Sequence, residues 1–199
     1  VLFDYIIIIL GGIKMAITFV VANQKGGIGK TTTATTIAGI LGKKYKTLLI
    51  DADPQGNSSA TYQAKIKDQA TLYDVMVDSD RIPLEEAVQH LDNGDIVASD
   101  PLLIKAEKLL DGDVEGLYRL KDAIEEVESY DYIIIDTAPA LGVVLYNSLI
   151  AADRVIIPIT ADAYSLQGIN QLYSTIKAVQ KRQNPSLKIE GLLLVKYSG

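Results

Sequence analysis

Short apolar runs recur along this chain, and between them apolar residues return every three or four positions. Ile17–Ala22, Thr47–Ile50, Ile96–Ala98, Tyr132–Ile135, Val155–Ile159 and Leu192–Val195 are rich in Val, Ile and Leu. Runs that stay apolar at consecutive positions predict parallel strands covered on both faces. Leu117, Leu120, Ile124 and Val127 fall on one helical face, with Glu125, Glu126 and Glu128 on the solvent side. Leu166, Ile169, Leu172, Ile176 and Val179 predict a longer helix, stopped by Asn184-Pro185. This alternation predicts an α/β fold: a doubly wound, mostly parallel sheet flanked by helices. No linker, repeat or low-complexity tract interrupts it, so residues 15–199 read as one domain.

Residues 1–14 break the pattern. The run Val1–Leu10 is apolar apart from Asp4, but it lacks a cationic leader and a small-residue cleavage site. Extended through Ile13, a helix there would span roughly 20 Å, short of the ~30 Å hydrocarbon core. The segment is read as an extension without function, against the alternatives of an extra strand or a membrane-touching piece. No other segment is a candidate to span a bilayer, so no stable membrane insertion is expected.

A chain of 199 residues can bury a core without disulfides or metals. The absence of cysteine excludes a disulfide framework, thiolate zinc sites and cysteine-held iron–sulfur clusters. A formal charge of −6 provides no global basic field, so any contact with nucleic acid has to come from a local patch. Lys177, Lys181, Arg182 and Lys188 form such a basic cluster, though basic residues in a last helical turn are ordinary. His90, the single histidine, follows Ala87-Val88-Gln89 and reads as an exposed residue near a helix end, not a catalytic base.

The chemistry concentrates in three segments. Gln24-Lys25-Gly26-Gly27-Ile28-Gly29-Lys30-Thr31-Thr32 follows a strand and opens a helix. Glycines let such a loop wrap around phosphate and aim backbone N–H groups inward, and the helix N-terminus adds a positive end. Lys30 then faces the β- and γ-phosphates of a nucleotide, and the Thr31 hydroxyl is available to Mg²⁺. The second segment is Leu48-Leu49-Ile50-Asp51-Ala52-Asp53-Pro54-Gln55-Gly56-Asn57, which sets two carboxylates at the carboxyl edge of a strand. The third is Asp131-Tyr132-Ile133-Ile134-Ile135-Asp136-Thr137-Ala138-Pro139, a buried strand delivering Asp136 at its tip, where a carboxylate holds Mg²⁺.

The first segment has Gln24 where a phosphate loop of this kind usually has glycine, and it adds Lys25. With that deviant Walker A pattern and the Asp53-Pro54-Gln55-Gly56-Asn57 run, the chain resembles the ParA/Soj partition ATPases of the ParA/MinD superfamily. Ile156-Ile157-Pro158-Ile159, Leu166-Gln167-Gly168 and Ile189-Glu190-Gly191-Leu192 extend the likeness, and Ala138 is a mild departure from a common proline. The resemblance implies an ATPase using ATP and Mg²⁺, with Lys25, Lys30 and Asp53 catalytic. It implies that residues 25–32 cradle the phosphates and that Thr31, Asp51 and Asp136 stand on the magnesium side. It further implies an ATP-sandwich homodimer, non-specific DNA binding, a ParB-like activator, and a cytoplasmic protein associated with the nucleoid when ATP-bound. A further strand and closing helices beyond Gly199 are expected to hold the adenine and most of the DNA surface. A MinD-like membrane switch is the alternative, and the nitrogenase-type iron protein is removed by the lack of cysteine. Operator-specific repression is not expected, because the phosphate loop begins too early for a helix-turn-helix module to precede it.

Overall fold

A computed structural model of the chain describes residues 16–77, 82–110, 112–161 and 165–195. Its strands are β1 (Ile17–Val21), β2 (Thr47–Ala52), β3 (Val88–Leu91), β4 (Gly94–Val97), β5 (Tyr132–Thr137), β6 (Arg154–Ile159) and β7 (Lys188–Leu194). They form one seven-stranded sheet in the order β3-β4-β2-β5-β1-β6-β7. Every pairing is parallel except β3 with β4. The helices are α1 (Lys30–Leu41), α2 (Asn57–Tyr62), α3 (Leu72–Val77), α4 (Ala106–Leu109), α5 (Arg119–Glu125), α6 (Val143–Ala151) and α7 (Ser165–Arg182). Residues 1–14, set apart above, lie outside the described residues.

Alternate residues of the central strands enter different cores, because successive side chains of a strand point to opposite faces. Val20, Leu48, Ile50, Val97, Ile133 and Ile135 pack under α3, α5, α6 and α7, in a core that includes Leu72, Leu120, Leu149 and Ile176. Val21, Leu49, Ile96 and Ile134 pack on the other face with Ala34 and Ala38 of α1. Both faces are therefore covered, which is why these strands are apolar at consecutive positions. The face predicted for α5 is the buried one, with Leu120, Ile124 and Val127 inside. Leu172, Ile176 and Val179 anchor α7, and the Asn184 amide after it donates to the carbonyls of Leu149, Ile150 and Ala152 at the end of α6.

One element departs from expectation. Val88–Leu91 is a strand, not a helix end, and it pairs antiparallel with β4 across a tight turn at Asp92-Asn93. Gly94 closes that turn at φ 120°, a conformation that side chains disfavour. His90 thus stands on an edge strand, exposed, with Nδ1 2.7 Å from Asp95 Oδ1. Among the described residues no helix is long and apolar enough to cross a membrane.

Candidate nucleotide-binding site

In the sheet register Val21 of β1, Asp136 of β5 and Asp51 of β2 lie side by side. The loops leaving β1 and β2 and the tip of β5 therefore converge at one carboxyl edge. The chain reverses its winding direction around β1, and open α/β sheets bind ligands at such points. All three motifs seen in the sequence meet here.

The loop after β1 is held from both sides. Asn23, buried, donates from Nδ2 to the Pro158 carbonyl at 2.7 Å and accepts from the Lys25 N–H at 3.0 Å. The Thr137 hydroxyl donates to the Val21 carbonyl at 2.8 Å, tying β5 to the start of the loop. Gly27 has φ 68° and Gly29 φ 86°, and a Cβ added at Gly26, Gly27 or Gly29 would meet no atom within 4 Å. Glycine serves conformation here and leaves the concave side open; it is not required by crowding. Gly29 precedes α1 without a side-chain cap, so the first N–H groups of the helix keep their hydrogen-bonding capacity. The helix itself is threonine-rich, and Thr35 Oγ donates back to the Thr31 carbonyl at 2.8 Å. What holds it is close packing through the small residues Ala34 and Ala38.

The two lysines are placed differently. Lys30 is 7% exposed, and its Nζ donates to the Lys25 carbonyl at 3.2 Å. Burial lowers its pKa, while the nearby carboxylates of Asp136 and Asp53 act in the opposite direction. Lys25 is half-buried, with Nζ 3.4 Å from Thr160 Oγ beyond β6. One lysine is turned back under the loop's own carbonyl, and the other reaches across to the segment after β6.

Asp136 is fully buried; its Oδ2 accepts from Ser58 Oγ at 2.8 Å, and its Oδ1 has no hydrogen-bond partner. Burial raises its pKa, opposed by the hydroxyls of Ser58, which is hydrogen-bonded, and of Thr31, which stands nearby without a hydrogen bond to Oδ1; Asp53 adds to the rise and Lys30 pulls it down. Asp51 is also fully buried, but its oxygens are engaged: Oδ1 accepts from the Asp53 N–H, and Oδ2 accepts from both the N–H and the hydroxyl of Ser59. Its pKa is pushed up to about 6, chiefly by burial. Asp53 Oδ1 accepts from the Gln55 N–H at 2.9 Å, which turns the chain after Pro54.

A fit to Mg²⁺ can be judged from these donors. A buried carboxylate oxygen without a partner, beside Thr31 and Lys30, is the kind of acceptor a divalent ion satisfies. No cage of three or more acidic or imidazole ligands exists among the described residues. That suits Mg²⁺, which keeps its waters and takes one or two protein ligands together with substrate phosphates. A cavity of about 500 Å³ lies at the opposite edge of the sheet, around Thr18, Asp153, Arg154 and Lys188. It contains none of the loop chemistry.

Three serines that none of the sequence motifs marks join the site: Ser58 donates to the Asp136 carboxylate, Ser59 to the Asp51 carboxylate, and Ser99 to the backbone carbonyl of Asp53. The signal was present: Ser58-Ser59 directly follow the Asp-Pro-Gln-Gly-Asn run, and Ser99 follows the strand ending at Val97.

Residues 16–189 match the family described as an AAA domain. The sporulation initiation inhibitor protein Soj of Bacillus subtilis is 41% identical over 180 residues, covering 87% of this chain and 70% of that one. The chain belongs to the ParA/Soj family of partition ATPases. The chromosome partitioning protein ParA of Myxococcus xanthus is also 41% identical, over 89% of this chain and 64% of its own length. The chain thus spans about two thirds of the length of these ParA/Soj relatives. A cobyrinic acid a,c-diamide synthase from Mycobacterium smegmatis, solved with ADP and magnesium, superposes with a TM-score of 0.85 at 33% identity. It covers 90% of this chain and 74% of that one. The doubly wound P-loop architecture read from the sequence is the one this ParA/Soj chain adopts.

Proposed function

We propose that this chain is the ATP-hydrolysing part of a DNA-partition switch that dimerises around ATP, binds DNA without sequence preference and is released by hydrolysis. The observation that carries the reading is the convergence of Lys30, Asp53 and Asp136 at the glycine loop after β1. Backbone N–H groups from Gly26 to Thr32 bind the phosphates, and Lys30 neutralises the β- and γ-oxygens. The binding of phosphate offsets the desolvation that Lys30 bears without it. Thr31 and Asp136 would hold Mg²⁺, which would supply charge neutralisation at the phosphates. Asp53 orients the attacking water, and the proton leaves towards that carboxylate. Lys25, on the outer side of the loop, reaches the nucleotide of the partner subunit, as an arginine finger does; such fingers contribute about 10³–10⁵ in rate.

The partition role rests on the chromosome partitioning relative, and the ParB-like activator and nucleoid association are what the family resemblance implies. A formal charge of −6 requires the DNA contact to be local. The diamide synthase neighbour supports a second reading, an ATP-dependent amidating ligase, in which turnover would require an amide donor and an organic acid. Turnover stimulated by DNA and a partition partner, and indifferent to glutamine, separates the two.

Calorimetry should find Mg²⁺-ATP binding in the wild type and the loss of most of it in Lys30→Ala; equal affinities would remove Lys30 from the site. The dimer geometry is tested by mixing. Lys25→Ala and Asp53→Ala should each be inactive, and their mixture should regain some turnover, since one interface then combines an intact lysine with an intact aspartate. An inactive mixture that nonetheless forms heterodimers would place Lys25 in its own subunit's site.

A further inference from the structure

Asp53 is held by a closed circuit of hydrogen bonds. Its N–H donates to Asp51 Oδ1 at 3.2 Å, and its carbonyl accepts from Ser99 Oγ at 2.6 Å. The Ser99 N–H donates to Ser59 Oγ at 2.9 Å, and Ser59 Oγ donates to Asp51 Oδ2 at 2.7 Å, which closes the ring. Asp51, Ser59 and Ser99 are each at most 2% exposed, and Asp53 is 6% exposed. The four residues come from the tip of β2, the loop after it, the first turn of α2 and the segment just after β4.

We propose that Asp51, Ser59 and Ser99 are positioning residues that fix the peptide of Asp53, and that Asp51 serves this ring instead of the magnesium ion. The inference rests on the reading of Asp53 as the water-orienting carboxylate. Both polar groups of the Asp53 backbone are clamped, the N–H to the β2 side and the carbonyl to the β4 side. A second bond to that carbonyl, from the Gly56 N–H at 2.8 Å, and the Gln55 contact to Oδ1 leave the side chain little freedom. Asp51 Oδ2 accepts two donors of Ser59 and Oδ1 accepts the Asp53 N–H, so magnesium at Asp51 would compete with the bonds that hold the ring. Asp136, with one oxygen unpartnered, needs no such rearrangement. The rate is where the ring acts, because a carboxylate displaced by about 1 Å loses on the order of 10²-fold in positioning.

The test uses Ser99→Ala, Ser59→Ala, their double variant, Ser99→Thr, Asp51→Asn and Asp136→Asn. Ser99→Ala should lower kcat about 10- to 100-fold while ATP affinity stays within about twofold, and Ser99→Thr, which keeps the hydroxyl, should recover most of the loss. The double variant should be no slower than the worse single one, because an opened ring has no further contact to lose. Amide exchange should rise at Asp53 and Gly56 in Ser99→Ala whether or not the protein turns over ATP. Asp51→Asn should leave unchanged the Mg²⁺ concentration that half-saturates ATP binding, and Asp136→Asn should raise it. A higher Mg²⁺ requirement in Asp51→Asn, or unchanged kcat in a Ser99→Ala protein whose Asp53 amide exchanges faster, overturns the ring. If Asp136→Asn and Lys30→Ala both bind Mg²⁺-ATP as the wild type does, the underlying reading of the site fails, and the positioning role falls with it.

Discussion

Asp51 and Asp136 lie in register on neighbouring strands, both fully buried; burial raises the pKa of each, Asp136 adds to the rise at Asp51, and Asp53 adds to the rise at Asp136. For an acid whose folded pKa lies above its unfolded value, the folded state holds the proton more tightly. Its buried charge therefore weighs against the fold above the folded pKa, and that cost fades as pH falls towards the unfolded value. For Asp51 the window runs from about 6 down to 3.8, and the shift corresponds to about 3 kcal/mol. Asp136 shifts in the same direction. Asp136→Asn should accordingly raise the melting temperature of the nucleotide-free protein at pH 7.5, with the gain shrinking as pH approaches 4. A melting curve in which the variant is less stable at pH 7.5 would show that Lys30 and Ser58 more than compensate the buried charge. A gain in stability on removing the charge is what the proposed Mg²⁺ role of Asp136 predicts, since functional carboxylates often lower stability.

At the scale of elements, α1 illustrates how packing overrides propensity. Its sequence, Lys-Thr-Thr-Thr-Ala-Thr-Thr-Ile-Ala-Gly-Ile-Leu, is poor in strong helix formers. Ala34 and Ala38, 0% and 4% exposed, let it lie close on β1 and β5, and the same closeness sets the height of the phosphate loop above the strand tips. Ala34→Leu should therefore destabilise the protein by about 1–3 kcal/mol through overpacking and weaken ATP binding in parallel. Denaturant titration and calorimetry on the same variant check both, and a stability loss with unchanged ATP affinity would separate helix height from loop function. The β3–β4 hairpin shows the opposite case. Asn93-Gly94 is a local turn signal in the sequence, and the hairpin it accompanies makes Val88–Leu91 a strand where a helix end is expected at His90.

At the scale of the molecule, β7 is the outermost strand among the described residues on its side of the sheet, and Leu192, Leu193 and Leu194 on it are 57%, 42% and 47% exposed. Exposed leucines on such a strand are apolar surface that a further strand or another chain can cover. Leu192→Lys should reduce concentration-dependent self-association of the nucleotide-free protein, read by light scattering, and should change stability by no more than about 0.5 kcal/mol. Self-association that is undiminished in this variant would place the sticky surface elsewhere.

The fold class, the glycine loop with Lys30 and the two acidic strand tips were legible in the chain itself. Each depends on local sequence: consecutive apolar residues make a doubly covered parallel strand, glycine permits positive φ, and a carboxylate ending a strand arrives at the carboxyl edge. Tertiary structure alone decided which carboxylate has an unpartnered oxygen. Asp51 and Asp136 look alike as the ends of apolar runs, and both are fully buried. The difference lies in Ser59, which reaches Asp51 from the next helix, and Ser99, which closes the ring from β4 forty residues further along the chain. Hydrogen-bond saturation depends on which donors the sheet order brings within 3 Å, and strand order is set by packing across both faces rather than by any one segment.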